Sequence, residues 1–277
     1  MVKKQLIMEK ALELFANQGF RATSVQQITE HCGISKGAFY LSFKSKDELI
    51  LALIDRFMMK AIANFDHIVK NTNKNQLLYE FYRASYNNFH QHADFAKIFI
   101  KETQTFNEEL ISKIRYYDQL LEKCILTMIE RLYGKNVKKS KFDLLYCIKS
   151  FLNMYGELLL FSNNIKLDID LLSKSLVEKT NLLAKNITIP FITEQQFQLM
   201  KYKSGLEEIT KEDIIEMIEQ KTEEIEESIE KESLILLKRN LHDPNLAPAI
   251  VKGLIENLRN HPDCEWIAYL LRNYYRL

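Results

Sequence analysis

Apolar residues recur along most of this chain at intervals of three and four, the spacing that turns one face of an α-helix toward a core. Ile7, Ala11, Leu14 and Phe15 form such a stripe over residues 3–18, and Gly19 ends it. In the stretch 24–46, SVQQITEHCGISKGAFYLSFKSK, Val25, Ile28 and Cys32 share a helical face. Ser24 and Gln27 have capping-box spacing, and Gly33 can take the positive φ that a tight turn needs. Ser35 caps a second, shorter helix in which Phe39 points inward while Lys36, Gly37, Tyr40 and Leu41 stay outside. Ser45 or Asp47 opens a helix over 46–68, with Leu49, Leu53, Phe57 and Ile62 inward. Further helical patterns run over 74–91, 94–104, 107–133, 141–162 and 168–186. The breaks fall at Asn71–Asn75, Gly134–Lys139 and Asn163–Asn164, and Asp168 is the N-cap of the last helix.

Past Pro190 the pattern continues. Thr193 to Tyr202 reads as a short helix. Thr210 and Asp213 cap a long helix to about Leu241, in which Ile214, Ile218, Ile225, Ile229 and Leu236 make a narrow seam of 3.5-residue period. Lys221 or Thr222 interrupts that seam, so a helix packed along one edge is expected in place of a free coiled coil. Asp243–Pro248 breaks the chain. Amphipathic helices follow over 248–259 and 264–275, separated by His261-Pro262. Asp263 caps the second, and Trp266, Ile267, Leu270, Leu271 and Tyr274 form its apolar face.

Composition agrees with a helical reading. Of 277 residues, 47% are hydrophobic and only seven are Gly and four Pro, enough for a large buried core. The formal net charge of +1 conceals a polarised chain. Residues 1–46 carry seven Lys/Arg against three Glu, and residues 201–232 five Lys against twelve Asp/Glu. The basic end suits phosphate and the acidic segment does not. Glu9 and Glu13 break the N-terminal apolar stretch, unlike a secretory leader. No apolar run approaches the roughly 18 residues that cross a bilayer, so no membrane partner is expected. Cys32, Cys124, Cys147 and Cys264 form no C-x-x-C pair and read as reduced core thiols of a cytoplasmic protein. A thiol sensor using Cys124 and Cys147 is the alternative.

At residues 23–49 the pattern becomes specific. The run T-S-V-x-x-I-x-x-x-x-G-I-S-K-G-A-F-Y-x-x-F-x-S-K-x-E-L, preceded by A-x-x-L-F-A-x-x-G-F from Ala11 to Phe20, resembles the DNA-binding signature of TetR/AcrR-type bacterial regulators. The resemblance implies an all-α protein with a helix-turn-helix domain over 1–46 and a helical effector-binding and dimerisation domain over 47–187; residues 188–277 exceed the length usual for the family and read, by helix pattern alone, as an additional helical module. It further implies a cytoplasmic, nucleoid-associated homodimeric repressor. Such a protein is released from a palindromic operator by a small hydrophobic or amphipathic effector. The last two body helices would pair with their copies in a second subunit. Phe151–Phe161, apolar nearly all round, suits that role or an ordinary interior helix, and Gly156 permits close approach of a neighbour.

DNA affinity comes mainly from phosphate contacts and sequence choice from base edges in the major groove. Lys36 and Tyr40 are the main candidates, with Gly37 allowing close backbone approach. A lysine can donate to guanine O6 and N7. Thr23, Ser24, Ser35, Ser42 and Lys46 are candidate phosphate ligands, each otherwise a cap or surface residue. Lys3 and Lys4 either reach the DNA backbone or stay solvated. The N-terminus of helix 46–68 can meet a phosphate through its free N–H groups. Two such heads, placed by a two-fold axis, would read grooves about 34–36 Å apart. In the body, Tyr86, Phe89, Phe99, Tyr117 and Tyr155 are candidates to line the effector pocket that the resemblance implies, although helical spacing alone reads them as core. No cofactor is implied. No P-loop or G-x-S-x-G motif is present, and His90 and His92 fall on different helical faces, a poor metal pair. A DNA-bound adaptor that docks a protein on 207–277 without a small ligand is the rival reading. A helical enzyme with an appended head is a third.

Overall fold

The computed structural model of the chain describes residues 2–102, 107–161, 167–200, 209–259, 261 and 263–277, without the side chains of residues 2 and 99–102. The side chain of Phe99, and residues 163–164, 202, 207–208 and 262, each named above, therefore lie outside the described residues. All regular structure described is helical. The first three helices are α1 (Val2–Gln18), α2 (Val25–Cys32) and α3 (Lys36–Tyr40). The body comprises α4 (Lys46–Asn71), α5 (Lys74–Gln91), α6 (Ala93–Glu102), α7 (Glu108–Tyr133), α8 (Lys141–Phe161) and α9 (Ile169–Asn186). Beyond it lie α10 (Glu194–Met200), α11 (Lys211–Glu224), α12 (Ile229–His242), α13 (Pro248–Arg259) and α14 (Glu265–Tyr275).

The caps explain most of these boundaries. Ser45, Asp168 and Thr210 each accept a hydrogen bond from a first-turn N–H, supplying partners for donors that a helix start leaves free. Thr210 and Asp213 close a complete capping box. Asp263 does not cap α14. Cys264 stands in that position and makes no side-chain cap bond.

The expected long helix 210–241 is two helices. Ser228 adopts extended backbone and caps α12, with Ile225 ending α11. The acidic run around the break explains the choice. Carboxylates are unfavourable at a helix C-terminus and favourable in a first turn, where Glu230 and Glu232 sit. The 3.5-residue seam consequently does not exist. Ile229 and Leu236 are 65% and 39% exposed, whereas Ile214, Ile218, Leu234, Leu237 and Leu241 are buried. Tyr274, expected on the apolar face of α14, is also exposed.

Two cores organise the molecule. One is built by α5, the far half of α7, α8, α9 and the end of α4, around Phe81, Tyr82, Tyr86, Ile129 and Ile148. Within it Gly156 of α8 lies where a Cβ would meet the Phe89 ring at 3.2 Å, so the close approach expected there is made by α5. The other core begins in α1–α3 with Ile7, Phe15, Ile28 and Phe39, and runs without interruption through Leu49, Leu53 and Ile62 of α4 into Leu234, Leu258 and Leu271 of the C-terminal helices. Trp266 of α14 meets Tyr117 of α7 edge-on at 6.3 Å. The C-terminal helices thus share their core with the N-terminal head. By length and hydropathy α8 is the one described helix that could cross a bilayer, a departure from the sequence expectation. Its Lys149 is paired with Asp118 and Glu122 of α7, and Phe142, Leu145, Ile148 and Leu152 are buried in the body.

Candidate nucleic-acid interface and effector region

The head is a helix-turn-helix fixed by its own caps. Ser24 accepts from the Gln27 backbone at 3.2 Å while Gln27 Oε1 accepts from the Ser24 N–H at 2.8 Å. Gly33, at φ 65°, accepts the left-handed turn, which a side chain would strain. Ser35 Oγ accepts from the Ala38 N–H at 3.2 Å and starts α3. Phe39 is fully buried and packs on Phe43. That anchoring leaves the opposite face free. Lys36 and Gly37 are exposed, and Tyr40 and Leu41 are 53% and 91% exposed. A slim polar and basic ridge results, narrow enough for a major groove.

Of the eight candidate contacts, the structure places six on this ridge or its flanks: Ser24, Ser35, Lys36, Gly37, Tyr40 and Ser42. Ser42 donates weakly to the Ala38 carbonyl at 3.4 Å, and Lys36 Nζ reaches Gln26 Oε1 at 3.4 Å. The other two are engaged within the head. Thr23 is buried, its hydroxyl donating to the Gly19 carbonyl at 2.7 Å and accepting from Gln18 Nε2 at 3.0 Å. Lys46 turns inward. Its ammonium donates to the carbonyls of Phe20 and Thr23, both at 2.7 Å, and of Arg21 at 3.4 Å, and lies 4.5 Å from the Phe20 ring centroid. With its three protons directed at three carbonyls, it staples the α1–α2 turn to the start of α4. Two residues not singled out by sequence belong with the ridge: exposed Gln26 beside Lys36, and exposed Lys44 after Phe43. The positive balance of residues 1–46 already included Lys44. Gln26 carries no sequence signal. Lys3 and Lys4 are exposed, Lys4 Nζ lying 5.1 Å from the Phe43 ring. The first turn of α4 carries Asp47 and Glu48, which weaken it as a phosphate site.

The aromatic candidates of the body are not gathered in one place. Tyr86 is fully buried and donates to the Phe151 carbonyl at 2.9 Å. Phe89 and Tyr155 are half-buried against the same core. Tyr117 belongs to the other core, donating to Asp55 at 2.6 Å where Lys113 also pairs with Asp55 at 2.9 Å. Burial pushes the phenols of Tyr86 and Tyr117 far up, so both stay protonated and keep a proton to donate. The three described cavities are lined by other residues. All four cysteines are free, and burial pushes the Cys124 thiol up to about 12, opposite to the activated thiolate of a redox sensor. His92 packs on the Phe57 ring at 4.8 Å. No cluster of metal-binding side chains occurs among the described residues.

The head and the helical body define a helix-turn-helix DNA-binding regulator. Residues 7–53 match the family model of bacterial regulatory proteins of the tetR family. Two Bacillus subtilis proteins align along nearly their whole length. The uncharacterized HTH-type transcriptional regulator YuxN is 28% identical, with 98% of each chain covered. The uncharacterized HTH-type transcriptional regulator YerO is 26% identical over 95% of this chain and 92% of its own. Among solved structures, the transcriptional regulator FadR from Bacillus subtilis in complex with stearoyl-CoA superposes with a TM-score of 0.56 at 19% identity. It covers 97% of its own length but 66% of this chain. The head of the chain, residues 7–53, is thus that of a TetR-family transcriptional regulator. YuxN and YerO extend along the C-terminal helices, whereas the FadR chain is matched almost completely by two thirds of this one.

Proposed function

We propose that this chain is a homodimeric repressor of the bacterial cytoplasm that holds a palindromic operator and is released from it by a small-molecule effector. The observation that carries the reading is the α3 ridge. Lys36 and Tyr40 stand exposed on a helix whose other side is locked by Phe39, at a basic end of the chain. Lys36 reads a base edge. Tyr40 meets a phosphate or a thymine methyl, and Ser24, Ser35, Ser42 and Lys44 take phosphates. Residues 1–46 form the reading head, 47–187 the dimerising and effector-responsive body, and 188–277 a brace on α4.

One short helix reads too few base pairs for useful specificity, so two heads are needed. Exposed Met154, Leu158 and Phe161 follow one stripe of α8, and Leu171 and Leu182 are exposed on α9. This apolar surface supports pairing of α8 and α9 with their copies. A hydrophobic or amphipathic effector would enter beside Phe89 and Tyr155. The FadR neighbour, which is in complex with stearoyl-CoA, supports that class. The C-terminal helices pack their buried apolar residues on one another and, through α14, on α4 and α7, which disfavours the adaptor reading. The test is sedimentation of the chain alone and on an operator selected from random DNA. The expected species are a dimer in solution and one dimer per inverted repeat. A monomer on an asymmetric site removes the proposal.

A further inference from the structure

Two adjoining cavities follow α4 where the C-terminal helices meet the body. The inner one, of about 130 Å³, lies between α4, α13 and α14, and the outer one, of about 370 Å³, between α4, α5 and the start of α14. They share two lining residues, Asn64 of α4 and Glu265 of α14. Both cavities are polar, unlike the aromatic interior.

Glu265 is the unusual group. Its Oε2 is buried and has no hydrogen-bond partner, and the described residues give its carboxylate no ion pair. A buried acceptor without a donor is unfavourable, and native structures rarely leave one. The nearby charges of Lys60 and Arg259 act on Glu265, yet neither closes on it. Lys60 is exposed, and Arg259 has a loose contact to Glu256 at 3.9 Å. The outer cavity adds the amides of Asn64, Asn87, Asn88 and Gln91, which form no side-chain hydrogen bond among the described residues. An unanswered carboxylate, the Lys60 ammonium and a row of amides offering both donors and acceptors call for a ligand of matching pattern: an ammonium, a carboxylate and a polar remainder.

We propose that this joint binds a small zwitterion of the amino-acid or short-peptide class in the outer cavity, its ammonium on Glu265, its carboxylate on Lys60, and its polar remainder on the amides of α5. Burial raises the Glu265 pKa, and a bound ammonium would restore its charge. The site is separate from any apolar effector site between α5 and α8. It is built jointly by α4 and the C-terminal helices.

The test is calorimetric titration of the full-length chain with each of the twenty protein amino acids and with glycylglycine. Each is run beside its N-acetyl form and the corresponding acid lacking the amine. The expected result is saturable binding by at least one zwitterion, absent for its N-acetyl and deaminated forms. Glu265→Gln and, separately, Lys60→Gln should each weaken it by about tenfold or more, as loss of a charge-assisted contact does. If Glu265→Gln fails to fold, the Lys60→Gln variant and the N-acetyl comparison decide alone. Absence of binding by any member of the panel to the folded parent overturns the proposal. So does binding that Glu265→Gln leaves unchanged in a protein that melts as the parent does. Operator binding is not part of the readout, so the repressor reading can fail or hold independently.

Discussion

At the scale of single residues, the head separates side chains that hold the fold from side chains free to meet DNA. Lys36 and Lys46 are both cations within the same signature, yet one is exposed and the other gives its protons to three backbone carbonyls. Lys46→Met is therefore expected to lower unfolding free energy by about 1–3 kcal/mol, since the carbonyls of the turn lose a charged donor. Lys36→Ala should stay within about 0.5 kcal/mol, as exposed substitutions do. Chemical denaturation of both variants checks this, and equal stability losses would return Lys46 to the surface. Little of this difference was legible in the sequence. The caps at Ser24, Ser35 and Asp168 act over three residues and could be read directly. The Lys46 staple spans more than twenty residues, and only the packed turn brings Phe20 and Thr23 to the ammonium. Thr23 is the same case: a hydroxyl that looks free in the chain is buried in the fold.

Elements were legible where local signals agreed and illegible where they competed. The boundaries of α5, α7, α9 and α13 follow from periodicity and caps. The break between α11 and α12 was hidden because Ile225 and Ile229 prolong the apolar spacing, while the Ser228 cap and the misplaced acids argue for a new start. Aromatic spacing in α5, α7 and α8 could not separate packed residues from pocket-lining ones, because both repeat every three to four residues. At the joint between α4 and the C-terminal helices, His67 offers a test of how the elements hold together. Burial, then the charges of Arg259 and Arg272, press its pKa from 6.5 to about 4, with Glu256 opposing weakly. Asp66 and Glu265 line the same cavity. A histidine depressed in the folded state contributes stability that is complete above its ordinary pKa and is lost as pH falls toward the folded value. Lowering the pH from 7.5 to 5 should accordingly reduce the melting temperature of the parent more than that of His67→Gln. Parallel falls in the two proteins would mean that His67 titrates normally, with no link to the joint.

At the scale of the whole molecule, α4 connects everything. Its start is stapled to the head by Lys46, its middle shares a core with α14, and its end enters the α5–α9 core. In the proposed dimer, a ligand that changed the angle of α4 would change the distance between the two heads, and a coupling of about 1–3 kcal/mol would alter operator affinity by roughly 5–150-fold. The all-α class and the reading head were legible because their signals are dense and local. The merging of the C-terminal helices with the head core was not, since no sequence pattern states which apolar faces meet. The central claim is that α3 reads DNA. The measurement closest to it is the affinity of the parent, Lys36→Ala and Tyr40→Ala for a selected operator and for unrelated DNA, by fluorescence anisotropy at matched salt. The account predicts that Lys36→Ala loses about 1–3 kcal/mol on the operator with a much smaller loss on unrelated DNA. Tyr40→Ala should also weaken operator binding while both variants melt as the parent does. Operator affinities equal to the parent's in both variants would contradict it.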